Sequence, residues 1–280
     1  MLNGKTFILG VGAQRAGTTW LSYYLRQRRD VFISPIKELH FFDQKFRPDL
    51  CGNCGQRFAR QLIRMAGTEE ITPEMLKKPR IRRLYDRVSM NEDDSAYPRF
   101  FEQRIKGHES ALGEITPSYS LIGSDGFAFA KSLLEKKGLK IKVIFLMRDP
   151  VDRNYSALRR KERNQKNFSA YKNFSRLLFE PALHERTRYD RTCRNLLAVF
   201  DSRDIFFGFY ETLFSPETIA ELCNFLGLEH KPANFDVVKN ASATRKVLDE
   251  DMAVQASEAF APVYDYCRAT FGKRVPSSWR

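Results

Sequence analysis

The sequence predicts a single α/β domain built in three layers, a mainly parallel sheet with helices on both faces. Three observations carry this. Short apolar runs alternate with amphipathic segments along the 280 residues, a pattern that implies right-handed crossovers. The strongest run, IKVIFLM at 141–147, reads as a strand entering a proline-started helix. The first run passes straight into a glycine-spaced loop and a helix start, FILGVGAQRAGTTWL at 7–21.

The elements follow in order. Residues 5–11 are continuously apolar and read as a buried strand. TTWLSYYLRQR at 18–28 reads as a helix, capped by Thr18, with Trp20, Leu21, Tyr24 and Leu25 as its apolar stripe. Val31–Ile33 forms a short strand closed by Ser34-Pro35. Residues 44–110 are polar, basic and irregular, with helices near 55–66 and 95–105, and read as a substrate or lid insertion within one domain spanning 1–280. Strands at 111–115, 141–147 and 204–210 alternate with helices at 125–137, from Pro150 onward, at 188–200 and at 215–227. One last helix is predicted over about 250–271. The charged stretch 158–176 reads as a solvated helix face or as a lid beside a ligand.

Composition narrows the function class. With 42% hydrophobic residues the chain can bury a sizeable core, and Lys+Arg exceeds Asp+Glu by 47 − 34 = 13. That excess favours anionic partners without choosing among phosphorylated cofactors, acidic sugars, nucleic acid or lipid headgroups. No apolar run approaches the ~20 residues of a membrane span, and the start does not read as a signal peptide, so a cytoplasmic protein is expected. The five cysteines argue against a disulfide framework. Cys51 and Cys54 form one C-x-x-C, read as a loop with two free thiols because no second pair and no histidine at suitable spacing lies nearby to complete a zinc site, with a redox or metal role as the alternative.

Three segments carry chemistry. Gly12 and Gly17 have the spacing of a phosphate-binding loop, but Thr18 stands where a nucleoside-triphosphate site has lysine, and the cation sits inside the loop at Arg15. Amides of Ala16, Gly17, Thr18, Thr19 and Trp20 at a helix start, with two hydroxyls, suit an anion. In FLMRDPVDRNYS, Arg148 follows the strongest strand and Arg153 lies beyond it; cations there suit a second phosphate better than a metal. Ser156, about two helical turns on, can reach the same phosphate. In PIKELHFF, Glu38 and His40 share a face of an extended segment, and either can take a proton from an acceptor. Apolar neighbours are expected to raise the Glu38 pKa.

GAQRAGTTWL, KELHFF, GEITPSYS, FLMRDPVDRNYS and YETLFSPETIAELCNFLGL occur in an order that resembles sulfotransferases using 3′-phosphoadenosine 5′-phosphosulfate (PAPS), above all the heparan sulfate and carbohydrate branch with its bacterial relatives. The resemblance implies a P-loop-like fold, PAPS as co-substrate, adenosine 3′,5′-bisphosphate (PAP) as product and no metal. It implies a 5′-phosphosulfate loop at residues 12–20 including Arg15, a 3′-phosphate site at Arg148 and Ser156, and a late loop with Arg245 and Lys246 closing over the cofactor. It makes Glu38 the general base, with His40 as the second choice. Ile115 stands where the heparan-type enzymes carry a lysine, which implies another acceptor, a small molecule or a carbohydrate. No nucleic-acid partner is expected, and no oligomeric state is specified. The other readings are a P-loop nucleotide kinase and a non-enzymatic polyanion-binding protein.

Overall fold

A computed structural model describes residues 2–236 and 247–280. Five strands, β1 (Thr6–Gly12), β2 (Val31–Ile33), β3 (Ala111–Ile115), β4 (Lys140–Met147) and β5 (Ile205–Phe209), form one sheet in the order β2-β3-β1-β4-β5. Every pairing is parallel, with Leu9 opposite both Glu114 and Val143. Phe7, Ile8, Leu9 and Val11 of β1 are fully buried, as are Val143, Phe145 and Met147 of β4. Continuous apolar runs rather than alternation are what a sheet covered on both faces requires.

Strand order fixes where a ligand binds. From β1 the chain moves outward to β2, and from β4 it moves to β5 on the opposite side. The C-terminal ends of β1 and β4 therefore flank a crevice, the place where open α/β sheets bind ligands. The glycine loop leaves β1 there and Arg148 leaves β4 there.

Helix α1 (Thr18–Arg26) starts at Gly17, whose φ of 85° makes it a left-handed cap; Thr18 is the first helical residue and not the cap the sequence suggests. Among the described residues no side chain caps this end, which leaves its first amides free of a side-chain partner there. The segment after β2 is more helical than its composition suggests. It holds α2 (Phe42–Phe46), α3 (Pro48–Cys51), α4 (Cys54–Ala66), α5 (Pro79–Glu92) and α6 (Ala96–Glu102). Helices α4 and α5 share a small core of Cys54, Phe58, Leu62, Ile81 and Leu84, separate from the main one. The charge density of PRIRRLYDRVSMNE hides α5 in the sequence, although Ile81 and Leu84 keep helical spacing.

Beyond β3 lie α7 (Gly123–Glu135), α8 (Pro150–Asn164), α9 (Ala170–Leu177), α10 (Pro181–His184), α11 (Tyr189–Leu197) and α12 (Pro216–Leu226). Gly227 ends α12 in the left-handed conformation. The predicted last helix is two, α13 (Glu250–Ala259) and α14 (Ala261–Phe271), divided at Phe260 with Pro262 inside the first turn of the second. The final residues fold back: Trp279 is buried against Phe209, and Arg280 pairs with Asp149 at 3.0 Å. No described helix is long and apolar enough to cross a membrane.

Candidate active site

Arg15, Arg148 and Ser156 come from the loop, the strand end and the next helix, and they meet. Arg15 Nε donates to Ser156 Oγ at 3.0 Å, and Arg148 Nη1 donates to the Arg15 carbonyl at 3.4 Å. Arg148 is only 7% exposed, lies over the Tyr210 ring at 4.4 Å, and has an Nε without a partner among the described residues. A buried guanidinium nitrogen left unbonded is costly unless a ligand completes it. Burial, then the nearby charges of Arg160, Arg163 and Arg148, bring the Arg15 pKa down to about 10. Four arginines thus converge on the crevice, and two of them come from the charged stretch of α8.

The loop is held from beneath. Arg153 is fully buried, against the expectation that it joins a phosphate; its Nε donates to Gln14 O at 3.2 Å, and its Nη1 donates to Leu183 O at 2.8 Å and to Thr187 Oγ1 at 2.6 Å. Asp149 is equally committed. It caps α8 by accepting from the Asp152 amide at 2.9 Å and also accepts from Tyr264 Oη at 2.9 Å and from Arg280. The sequence allowed an Arg148–Asp149 pair; Arg148 instead faces Asp152 at 3.6 Å.

Trp20 packs inward, stacked with Tyr24 and Phe235 at 5.8 Å each. Thr19 remains at the mouth, where Lys37 Nζ donates to its hydroxyl at 3.1 Å. Lys37 thereby brings a cation to the loop from a distant segment. Arg245 and Lys246 lie outside the described residues.

Glu38 and His40 form the second half of the site. They do not share an extended face as the sequence suggests: both have left-handed backbones, with φ of 55° and 59°. Such non-glycine conformations cost roughly 1–3 kcal/mol each and persist only where the surroundings impose them. Here the imposition is visible. The Leu39 amide donates to Glu114 at 3.4 Å and the Phe41 amide donates to Tyr119 Oη at 3.1 Å. Phe41 stacks on Tyr97 at 4.6 Å, and the ring of Phe42 lies 4.9 Å from the same tyrosine. Glu114 gathers these groups, accepting from Tyr97 Oη and Tyr119 Oη at 2.7 Å each and from Thr116 Oγ1 at 2.5 Å.

The twist brings the His40 Nε2 within 3.5 Å of Glu38 and its Nδ1 within 2.8 Å of Asp43. Burial disfavours charge on His40, but its two carboxylate partners outweigh it and raise its pKa to about 9. Burial also pushes Glu38 up, as the sequence suggests, yet the hydrogen bond from His40 and the charges of His40, Lys37 and Arg160 hold it below the usual carboxylate range. Of the two candidate bases, Glu38 is the one free to accept a proton at neutral pH. Arg160 faces both Glu38 and Arg15, so the two halves share one electrostatic field.

The family model of the sulfotransferase family matches residues 7–232. The chain belongs to the sulfotransferase family. No curated protein matches it. Among solved structures, the sulfotransferase of Alicyclobacillus acidocaldarius is similar in fold, with 23% identity over 99% of both chains and a TM-score of 0.62. More distant matches are a mouse sulfotransferase complexed with PAP (15% identity, 92% of this chain and 66% of that chain, TM-score 0.44) and a retinol dehydratase in complex with androsterone and inactive cofactor PAP (17% identity, 99% of this chain and 84% of that chain, TM-score 0.48).

In this sulfotransferase several residues at the site had no signal in the sequence. Arg160 and Arg163 stood in a stretch that reads equally well as solvated. Glu114 looked like part of an apolar strand. Arg87, from the unforeseen α5, donates to the carbonyls of Lys37 and Glu38 at 2.7 and 2.8 Å and stacks on Phe58 at 4.4 Å. Arg186 faces Glu38, Asp43 and Cys51 and has an Nη1 with no partner among the described residues. The expectation that Cys51 and Cys54 have no histidine nearby is corrected: the fold lays them beside His40 and Asp43.

Proposed function

We propose that this sulfotransferase moves the sulfuryl group of PAPS to a hydroxyl or amine of a small-molecule or carbohydrate acceptor, with Glu38 as general base. One observation carries the reading: Arg148, Arg160 and Arg163 lie close enough to Arg15 to repel its charge, and the buried Arg148 Nε has no partner among the described residues. A donor with phosphates at two ends fits that cluster. The Gly17–Trp20 amides and Thr19 would hold the phosphosulfate end, with Lys37 beside it. Arg148 and Ser156 would hold the 3′-phosphate, and Arg15, bonded to Ser156, would join the two ends.

The bound donor supplies the activated sulfur. The chain supplies position and charge. Loop amides and Arg15 favour the charge that builds on the departing phosphate oxygen. Glu38, fixed by its twisted backbone and by His40, receives the acceptor's proton as the acceptor atom bonds to sulfur. A thermal-shift comparison of adenosine 3′,5′-bisphosphate, ADP and ATP tests the reading, followed by labelled-PAPS transfer to an acceptor panel. Selective stabilisation by the bisphosphate supports it; equal or stronger stabilisation by ATP with magnesium overturns it.

A further inference from the structure

We infer that His40, Asp43, Cys51 and Cys54 form a binding site for a thiophilic divalent cation of the zinc class, next to Glu38. In sequence the four make His-x-x-Asp followed by Cys-x-x-Cys: His40 just precedes α2, Asp43 lies on α2, Cys51 ends α3 and Cys54 begins α4. The fold joins them: one ligand atom each from His40, Asp43 and Cys54 lies within 4.8 Å of the others, and Cys51 Sγ lies 2.8 Å from Cys54 Sγ. Both cysteines are free thiols. Gly52 and Asn53 between them are both left-handed, with φ of 68° and 46°, and this turn puts both sulfurs on one side.

An independent observation points to an absent ligand. The Asp43 side chain has no exposure, and its Oδ1 has no hydrogen-bond partner among the described residues. A buried carboxylate oxygen with no donor is costly, and a cation removes that cost. The other Asp43 oxygen accepts from Ser118 Oγ at 2.5 Å, which fixes the carboxylate. Nitrogen, carboxylate and two sulfurs are the donor set of a tetrahedral zinc site.

The surroundings fit as well. A ligating histidine normally gives its other N–H to a carboxylate, which sets its tautomer. With the cation on Nδ1, the Nε2 hydrogen of His40 would point to Glu38, already 3.5 Å away. Two thiolates, one carboxylate and a divalent ion leave one negative charge, and the Arg186 guanidinium faces Asp43 and Cys51. Closing the site requires the sulfurs to part by about 1 Å and the three-residue group to contract, to reach metal–ligand distances of about 2.0–2.3 Å. Binding releases both thiol protons and any proton on Nδ1. The cation would brace the strained Glu38–His40 segment without touching the transferred group.

The test uses the full chain, purified reduced and without chelator, with metal content measured by elemental analysis and Co²⁺ added to the stripped protein. One equivalent of zinc, and a thiolate-to-cobalt charge-transfer band with the visible bands of a tetrahedral ion, support the site. Cys54→Ser and Asp43→Asn should abolish the band, Cys51→Ser should weaken cobalt binding at least tenfold, and His108→Ala, at an exposed histidine, should change neither. Circular dichroism checks folding; because Cys51 is only half-buried, its variant keeps the test valid if Cys54→Ser unfolds. No band with five titratable thiols per chain, a band surviving in the Cys51→Ser/Cys54→Ser double variant, or a Cys51–Cys54 disulfide in the freshly purified reduced protein each overturns the inference. None of these readouts depends on PAP binding or sulfuryl transfer.

Discussion

Arg15 Nε and Ser156 Oγ meet at 3.0 Å across 141 positions of sequence. The contact welds the loop after β1 to the helix after β4, the two elements that flank the crevice. The two motifs from which separate phosphate sites are predicted are therefore contiguous, joined through the Arg15 guanidinium.

Removing these groups should be felt in PAP binding first. A charge-assisted hydrogen bond contributes about 1.5–3 kcal/mol, so Arg148→Ala and Arg15→Ala should each raise the calorimetric Kd for adenosine 3′,5′-bisphosphate roughly 10- to 100-fold. Ser156→Ala removes one neutral hydroxyl and should cost less, about three- to tenfold. An unaltered Kd in Arg148→Ala would take that residue out of the site.

Glu38→Gln keeps the size of the side chain and removes the proton acceptor. General-base catalysis is worth about 10²–10⁴ in rate, so single-turnover sulfation of a verified acceptor should fall by that factor while PAP affinity holds. An unchanged turnover rate sinks the base assignment.

Much of this was legible in the sequence, and the reason is local. The β1 loop, β4 with Arg148, and Ser156 are each read from a short contiguous motif whose spacing sets its geometry. The strands read well because parallel strands buried on both faces must be continuously apolar. What stayed hidden depends on contacts far apart in sequence. Lys37 reaches Thr19 only because β2 lies where it does, and Arg160 comes near Arg15 and Glu38 only because α8 packs where it does. The left-handed Glu38 and His40 defeated a reading that assumed extended backbone, since nothing in KELHFF announces the Glu114 network that imposes the twist.

Gly17 is the position where the loop tolerates least. Its φ is 85°, and a Cβ there would meet Leu213 Cδ2 at 2.5 Å. Gly17→Ala should destabilise the fold by about 1–2 kcal/mol through the left-handed backbone alone, with the clash in addition. Pairing it with Leu213→Ala separates the two effects. The double variant should be less destabilised than the two single costs added, because the clash is gone, yet PAP binding should stay impaired because the backbone strain remains. Full recovery of binding in the double variant would show that the left-handed conformation does not matter.

Glu114 links stability to pH. Burial raises its pKa above 4.5, outweighing the hydrogen bonds from Thr116, Tyr97, Tyr119 and the Leu39 amide that favour the carboxylate. The sign follows from proton binding: between the free and folded values the folded chain holds the proton more tightly than the unfolded chain. Its contribution is therefore most favourable in acid and is eroded as pH rises through the folded value. Glu114→Gln cannot titrate, and its amide N–H groups would face donors at one oxygen position, leaving a buried group unpaired at about 1–3 kcal/mol. Urea unfolding of both proteins from acid towards neutral pH should show the variant less stable, with the gap largest at low pH and shrinking as pH rises. A gap that widens with pH would mean that the hydrogen bonds, and not burial, dominate at Glu114.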